Sequence, residues 1–319
     1  CWTLGYSTLS RYSASMLIGS DASIYYNIVE NGITSLEYDT YNRSNRLMVP
    51  LIARIFYLTI PAIGSWDPIA HAILITTSLF TSLSALLIFN LSNKMFDNVN
   101  LSIVAAFIFI TNFMVINWYL IGGIDSAWSL CCIILIYILY DERYFLLPFL
   151  SIFSTLVKEH YLLFGSLIIF LWMLYEYIFE KKLSRTNIIY FVSSTIMSFV
   201  IVSIIYYSLR SEITLPWQII YDASILKDDV YNLEWISIEV ARFIMVSGLL
   251  LLFSAFNLKI FDRKIIFVFS LVLTIQFIFG LILGLSGSGH GRAIFNIAAF
   301  IICTSAGMTI LKIVDNIKR

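Results

Sequence analysis

Long apolar runs separated by clusters of charged residues make up the chain from Pro68 onward. A transmembrane helix needs roughly 20 mostly apolar residues. The runs are Pro68–Leu91, Leu101–Leu120, Ala127–Tyr140, Tyr144–Val157, Tyr161–Phe179, Asn187–Leu209, Ile238–Leu258, Ile265–Leu285 and Ala293–Ile313. The third and fourth runs are short and would cover roughly 21 Å each at about 1.5 Å per residue. The pattern predicts an all-α, polytopic transmembrane helical bundle with about nine spans.

The residues before the first of these runs follow a different pattern. Asp21–Glu30 looks amphipathic and ends at Asn31-Gly32, a pair that commonly stops a helix. Val49–Ile60 is mostly apolar, and a helix starting near Pro50 would lie at the membrane interface rather than cross it. Asp67-Pro68 opens the first span as a cap followed by a first-turn proline. We therefore predict one membrane domain over 1–319, with 1–67 as a first outer loop carrying interfacial helices and 68–319 as transmembrane helices.

The loops between the runs differ in charge. One alternating set of loops carries eleven basic and seven acidic residues, a net charge of +4, and the remaining nine basic and thirteen acidic residues give −4. Short cytoplasmic loops are enriched in Lys and Arg, so the first set is predicted to be cytoplasmic. Nine spans with a cytoplasmic C-terminus place residue 1 outside, and we expect a further N-terminal span before it.

Composition supports a lipid environment. The chain of 319 residues is 60% hydrophobic and 13% charged, with a mean hydropathy of +0.88, which excludes a disordered chain. The 20 basic and 20 acidic residues argue against a nucleic-acid partner. The four cysteines have no metal-binding spacing, so no metal-ligating residues are predicted. The prediction is a multi-pass protein in the lipid bilayer of the plasma membrane or the endoplasmic reticulum.

Two acidic residues on the predicted outer face admit a structural and a chemical role. Asp21 follows Gly19-Ser20 and is either a helix N-cap or a carboxylate that takes a proton from an attacking hydroxyl. Asp125, after Gly122-Gly123-Ile124, is either a cap or a reserve acid for the same task.

Basic residues also gather on this face, although the outer face should be poor in them. Arg43, Arg46 and Arg54 would either contact lipid headgroups or clamp a phosphate, for which the guanidinium fork is well shaped.

Two further motifs of the predicted outer face combine charge with an unusual position. Lys158-Glu159-His160 interrupts an apolar stretch and is either a hairpin at the interface or a functional trio recessed in a water-filled cavity, which we favour. Ser286-Gly287-Ser288-Gly289-His290-Gly291-Arg292 opens the last span and is either a flexible turn or a helix N-terminus that binds an anion, with His290 and Arg292 assisting.

Taken together, these motifs resemble the GT-C superfamily of membrane glycosyltransferases, in particular mannosyltransferase-like members that use polyprenyl- or dolichyl-phosphate sugars. The resemblance covers most of the chain as architecture and loose motifs. It is carried by the first outer loop, with Gly19-Ser20-Asp21, Tyr25-Tyr26 and Glu30-Asn31-Gly32, and by the stretches Arg46-Leu47-Met48-Val49-Pro50-Leu51-Ile52-Ala53-Arg54, Leu156-Val157-Lys158-Glu159-His160 and Gly291-Arg292.

The resemblance implies a GT-C-like fold and a hexosyltransferase that moves a sugar from a polyprenyl-phosphate donor to an acceptor on the extracytoplasmic or lumenal face. Asp21 would be the catalytic acid of the first outer loop. Phosphate binding would fall on Arg292, with Lys158 or the Arg43/Arg46 pair assisting. Several members carry two adjacent acids where Asp21 stands alone, which leaves a divalent ion (Mg or Mn) open as a cofactor.

A transporter or lipid flippase is the alternative function. Such proteins often show inverted repeats and helices broken by Gly or Pro near the midplane. No repeat is visible here, and of the five prolines only Pro148 falls inside a predicted span.

Overall fold

The computed structural model describes residues 22–33, 46–61, 67–120, 123–182, 184–210, 237, 249–282 and 287–317. These residues form helices and no strands, which confirms the all-α prediction. The α-helices are α1 (Ala22–Asn31), α2 (Met48–Thr59), α3 (Pro68–Phe96), α4 (Val99–Thr111), α5 (Asp125–Tyr140), α6 (Leu147–Val157), α7 (Tyr161–Tyr175), α8 (Arg185–Arg210), α9 (Leu249–Ala255), α10 (Arg263–Ile282) and α11 (Gly287–Ile317).

Five helical segments in the described part of the chain are long and apolar enough to cross a membrane, and they indicate a multi-pass integral membrane protein. They are Pro68–Phe96, Val99–Asn117, Tyr161–Glu180, Arg185–Ser208 and Arg292–Ile317. The two runs predicted to be short are short, at Asp125–Tyr140 and Tyr144–Val157. Most of Ile238–Leu258 lies outside the described residues, and the nine-span count stays a prediction.

Helix α5 lies at the centre of the bundle. It packs against α3, α6 and α11, and 13 of its residues are buried. A helix that is apolar on all sides belongs in a protein interior. Around it, α6 packs against α8, and α7 packs against α10. The polar residue that starts α5, Asp125, is therefore held inside the bundle by its neighbours.

The start of α6 corrects one prediction from the sequence. The apolar runs place Pro148 inside a span, but it lies in the first turn of α6, directly after the short 3-10 turn Tyr144–Leu146. The first N–H groups of a helix have no partner within it, so a proline there removes no hydrogen bond. Pro148 therefore marks a helix start rather than a break in a helix.

The two helices predicted before the first span are present. Helix α1 ends at Asn31, and Gly32 follows with a φ of +79°, a left-handed conformation that glycine adopts readily. Arg54 of α2 donates hydrogen bonds to the carbonyl oxygens of Val29 at 2.8 Å and Glu30 at 2.7 Å. Arg54 thus caps the C-terminal end of α1, where a cation is favourable, which is neither of its two expected roles.

Asp67 begins α3 as the sequence predicts. Its carboxylate accepts hydrogen bonds from the backbone N–H groups of Ile69 at 2.8 Å and Ala70 at 3.1 Å. The hydroxyl of Tyr26 in α1 donates to the other carboxylate oxygen at 2.7 Å. One side chain therefore caps α3 and joins it to α1.

Removing this cap should destabilise the fold measurably. We expect Asp67→Ala to lower the free energy of unfolding by about 1 kcal/mol, because two backbone N–H groups at the start of α3 and the Tyr26 hydroxyl lose their acceptor. Asp67→Asn keeps an acceptor oxygen and should cost much less. Denaturant unfolding in mixed micelles would compare the two variants, and equal stability of Asp67→Ala and the parent chain would contradict this role.

Ion pairs gather at the two ends of α5. Beyond its C-terminal end, Lys94 and Arg143 both pair with Asp141. At its start, Lys158 and Arg292 pair with Asp125. In each pair both partners come from loops that the charge pattern assigns to one face of the membrane. The geometry therefore supports the grouping of these loops, and the assignment of one face to the cytoplasm stays a prediction.

Candidate anion-binding site

Six charged or titratable side chains from four parts of the chain meet at the start of α5. We call them the Asp125 cluster, and its members are Arg46, Asp125, Lys158, Glu159, His160 and Arg292. Arg46 lies just before α2, Asp125 begins α5, the Lys-Glu-His trio joins α6 to α7, and Arg292 lies in the second turn of α11.

Arg46 and Glu159 form a two-pronged ion pair. The Nε and Nη2 atoms of Arg46 lie 3.2 and 3.0 Å from the two carboxylate oxygens of Glu159, and Nη1 lies 3.5 Å from the hydroxyl oxygen of Tyr25. Burial raises the pKa of Glu159, but the Arg46 cation and the neighbouring His160 outweigh burial and hold this pKa well below its usual range. Arg46 is thus largely engaged within the protein.

Asp125 is enclosed by donors and is only 5% exposed. Its carboxylate oxygens lie 3.9 Å from Lys158 Nζ and 3.5 Å from Arg292 Nη1. The amide Nδ2 of Asn296 donates to Asp125 Oδ1 at 2.9 Å. Arg292 and Asn296 are four residues apart on α11 and so share one helix face. One turn of α11 therefore supplies both a cation and a neutral donor to the same carboxylate.

Lys158 lies between the Arg46–Glu159 pair and Asp125, because it pairs with Asp125 and precedes Glu159 in the chain. Burial lowers the pKa of Lys158, and the nearby Arg46 and Arg292 cations lower it further. The Asp125 carboxylate raises this pKa, but the net shift is downward. Its ammonium group also lies 5.8 Å from the centre of the Trp128 ring. With three cations against two carboxylates, the cluster has a formal net charge of +1 before any protonation of His160. It can therefore accept an anion.

Helix α5, which begins at this cluster, is shorter than a full membrane span. Sixteen residues of α5 rise about 24 Å, against a hydrocarbon thickness of about 30 Å. Helices α5 and α6 both run between the Asp141 end of the bundle and the Asp125 cluster, where Asp125 and Lys158 lie side by side. The recessed position that the sequence suggests for the Lys-Glu-His trio stays a prediction.

The structure brings together most of the residues singled out in the sequence. Arg46, Lys158, Glu159, His160 and Arg292 meet around the reserve acid Asp125, and His160 Nδ1 lies 3.1 Å from Glu159 Oε1. Three predicted residues cannot be placed. Asp21 and Arg43 lie outside the described residues, and for His290 the structure describes the helical backbone of α11 but not the side chain.

Four residues of the site were given no role from the sequence. They are Tyr25, Tyr119, Trp128 and Asn296. A four-residue spacing connects Asn296 to Arg292, and this signal could have identified it. Tyr119 has no such signal, because its position depends on a break in the preceding helix. At that break, Asn112 accepts a hydrogen bond from the N–H of Met114 at 2.8 Å.

The described residues give no support for a bound divalent ion. No group of three or more His, Cys, Asp or Glu side chains in the described ranges could hold a metal. Asp125 and Glu159 also each face cations, and these cations would repel a divalent ion. The described part of the cluster therefore does not fit the Mg or Mn ion that the sequence left open.

A second ionic group, near the other end of the bundle, provides a contrast. We call Tyr144, Trp172, Glu176 and Lys264 the Glu176 cluster. Lys264 Nζ lies 2.6 Å from Glu176 Oε1, and the Trp172 indole N–H donates to the same oxygen at 3.1 Å. The Lys264 and Glu176 side chains are 7% and 3% exposed, whereas Arg292 is 37% exposed. The Glu176 cluster ties α10 to the end of α7, and of these two clusters the Asp125 cluster is the one accessible to a ligand.

No protein-family model, curated protein or solved structure matches this chain. The fold and the site define its class as an all-helical, multi-pass integral membrane protein with a cluster of cations around a buried carboxylate.

Proposed function

We propose that the chain is a GT-C-like glycosyltransferase that moves a sugar from a polyprenyl-phosphate donor to an acceptor hydroxyl on the outer or lumenal face. The convergence of Lys158 and Arg292 on the buried Asp125 carries this proposal. A lipid-linked phosphate presents its negative charge close to the membrane surface, where the outer loops that carry these cations are predicted to lie. Fixed cations around developing negative charge are a large source of transition-state stabilisation in enzymes.

In this mechanism the acceptor hydroxyl oxygen attacks the anomeric carbon of the donor sugar, and the bond from that carbon to the phosphate oxygen breaks. The hydroxyl proton passes to the Asp21 carboxylate, which the sequence proposes as the general base. The polyprenyl phosphate leaves with the bonding electron pair, and its new charge is stabilised by Lys158 and Arg292. Asp125 keeps these two cations together by offsetting part of their mutual repulsion.

The first test is the loss of the proposed base. Asp21→Asn should abolish sugar transfer while leaving the amount of folded protein unchanged, because the amide cannot accept the hydroxyl proton. Glu30→Gln, at an exposed carboxylate of α1, is the matched control and should keep full activity. Membranes containing the chain would be given polyprenyl-phosphate-linked radiolabelled hexoses, and label entering lipid, protein and glycan fractions would be counted.

Two results of this assay would count against the proposal in different ways. Full activity of Asp21→Asn would remove Asp21 from the mechanism and leave the transferase function standing. Absence of transfer by the parent chain from mannose- and glucose-linked donors would contradict the function itself.

A lipid flippase is the second candidate, and one observation favours it. Helix α11 is kinked at Ala298, which has a non-helical φ of −114° and ψ of 15°, two residues after Asn296. Broken helices beside a binding site are common in transporters. Reconstitution in vesicles would separate the two functions, because a flippase moves a labelled polyprenyl-phosphate sugar between leaflets intact, whereas a transferase cleaves it.

A further inference from the structure

A chain of buried neutral groups leads from the core of the bundle to Asp125. The hydroxyl of Tyr119 donates to Asn296 Oδ1, and Asn296 Nδ2 donates to Asp125 Oδ1 at 2.9 Å. Tyr119 is fully buried, and Asn296 is 1% exposed. The direction of the chain is set by Asp125, because its carboxylate only accepts and so requires the amide nitrogen of Asn296 to face it.

The local backbone is shaped to bring Tyr119 to this position. Helix α4 ends at Thr111, Asn112 has an extended conformation, and Val115–Tyr119 forms a π-helical turn. Such turns are rare, and they occur frequently at functional sites. The Tyr119 ring then packs beside Phe109 and Phe295, with ring centres 6.1 and 6.3 Å away. These contacts fix the direction of its hydroxyl.

Neither Tyr119 nor Asn296 adds charge to the cluster, so they do not compensate the Asp125 carboxylate. The charged and titratable groups that act on Asp125 are Arg292 of α11, Lys158 after α6 and, at longer range, Arg46 before α2. Lys158 and Arg292 lie 3.9 and 3.5 Å away, distances at which a flexible ion pair can rearrange. The shortest of these contacts to the carboxylate, at 2.9 Å, comes from Asn296.

We propose that Tyr119 and Asn296 are positioning residues that orient Asp125, and that through Asp125 they hold Lys158 and Arg292 in place for the phosphate of an isoprenyl-linked substrate. The inference rests on the proposed function for the identity of that substrate. A carboxylate anchored on Oδ1 keeps Oδ2 directed at Arg292, so the two cations stay close enough to bind one phosphate. Without the anchor the carboxylate rotates and the separation of the cations is no longer fixed.

The experiment measures binding of farnesyl phosphate, a short isoprenyl phosphate, to the full chain in lipid nanodiscs by calorimetry. Tyr119→Phe removes one hydroxyl that never touches a ligand and should weaken binding about fivefold. Asn296→Leu removes the anchor itself and should weaken binding about tenfold or more. Tyr144→Phe is the matched control: this buried tyrosine also donates to a polar partner, Glu176, in the cluster near the other end of the bundle, and its Kd should stay within about twofold of the parent value.

Thermal unfolding of each variant shows whether weaker binding comes from a less stable fold or from cations that are no longer held in place. Parent-like binding by both Tyr119→Phe and Asn296→Leu would overturn the inference, as would equal weakening by Tyr119→Phe and Tyr144→Phe. Weakened binding confined to the Tyr119 and Asn296 variants supports it, even if the parent chain transfers no sugar. In that outcome the transferase function fails and the positioning role stands.

Discussion

Replacing Glu159 with Gln should destabilise the fold by about 3–5 kcal/mol, which is the cost of breaking a buried ion pair by removing one partner. The neutral amide would leave the Arg46 charge without its counter-ion in a site where the arginine side chain is 13% exposed and the glutamate side chain 3% exposed. The pair also joins the segment before α2 to the turn between α6 and α7, so its loss loosens two parts of the bundle. Denaturant titration in mixed micelles measures the change in the free energy of unfolding.

Two further variants make this expectation specific. Glu180→Gln removes a partly exposed carboxylate 3.5 Å from Lys264, and Lys264 keeps Glu176 at 2.6 Å, so the loss should be within about 1 kcal/mol. The double variant Arg46→Met with Glu159→Met removes both charges and should recover most of the lost stability. If Glu159→Gln is no less stable than Glu180→Gln, the pair does not stabilise the fold as described.

The Arg46–Glu159 pair stabilises the fold over a defined range of pH. The pKa of Glu159 in the folded chain lies well below its usual value, so the pair stabilises the fold at every pH above the unfolded value of about 4.3. The stabilisation is lost only as the pH falls through the lower, folded value. The contribution of this pair should therefore be constant between about pH 6 and 8.

The pattern of apolar and charged positions predicts most of the described fold. It places helices where α3 to α8 lie, and it identifies α5 and α6 as too short for a full span. It also places the end of α1 at Asn31-Gly32 and the start of α3 at Asp67-Pro68. These features are local, because capping, turn formation and helix length depend on residues close together in sequence.

The composition of the site could be predicted only in part, because its contacts are long-range. The Arg46–Glu159 pair spans 113 residues, and the Asn296–Asp125 hydrogen bond spans 171. The sequence indicates which polar residues share a face of the membrane, but the packing of α5 against α11 decides that Asp125 meets Arg292. The role of Arg54 could not be predicted for the same reason, because its contact with the end of α1 depends on how α1 and α2 pack.

Packing also changes which acid is central to the described site. The sequence pattern assigns the catalytic role to Asp21 and keeps Asp125 in reserve. Asp125 is the residue around which the cations gather, because the buried helix α5 begins with it and α6 ends beside it. A proton-accepting role remains proposed for Asp21, while the geometry makes Asp125 the organiser of the cations.

Arg292→Gln should reduce kcat/KM for a polyprenyl-phosphate sugar by about 100- to 1000-fold, the usual cost of removing one group that stabilises charge in a transition state. Arg292 combines a fixed charge, 37% exposure of its side chain and a distance of 3.5 Å from Asp125, so it can contact both the substrate phosphate and the buried carboxylate. Arg292→Lys keeps the charge but loses the planar fork, and should recover only part of the activity.

The control for Arg292 is Arg143→Gln at the other end of α5. Arg143 lies 3.6 Å from the buried carboxylate of Asp141 and is 57% exposed, so it reproduces the same kind of ion pair away from the proposed site. Sugar transfer by Arg143→Gln should match the parent chain. If both glutamine variants lose activity equally, the loss reflects general weakening of the bundle. If Arg292→Gln keeps full activity, the phosphate is bound elsewhere, because a cation in contact with the departing charge cannot be removed without cost.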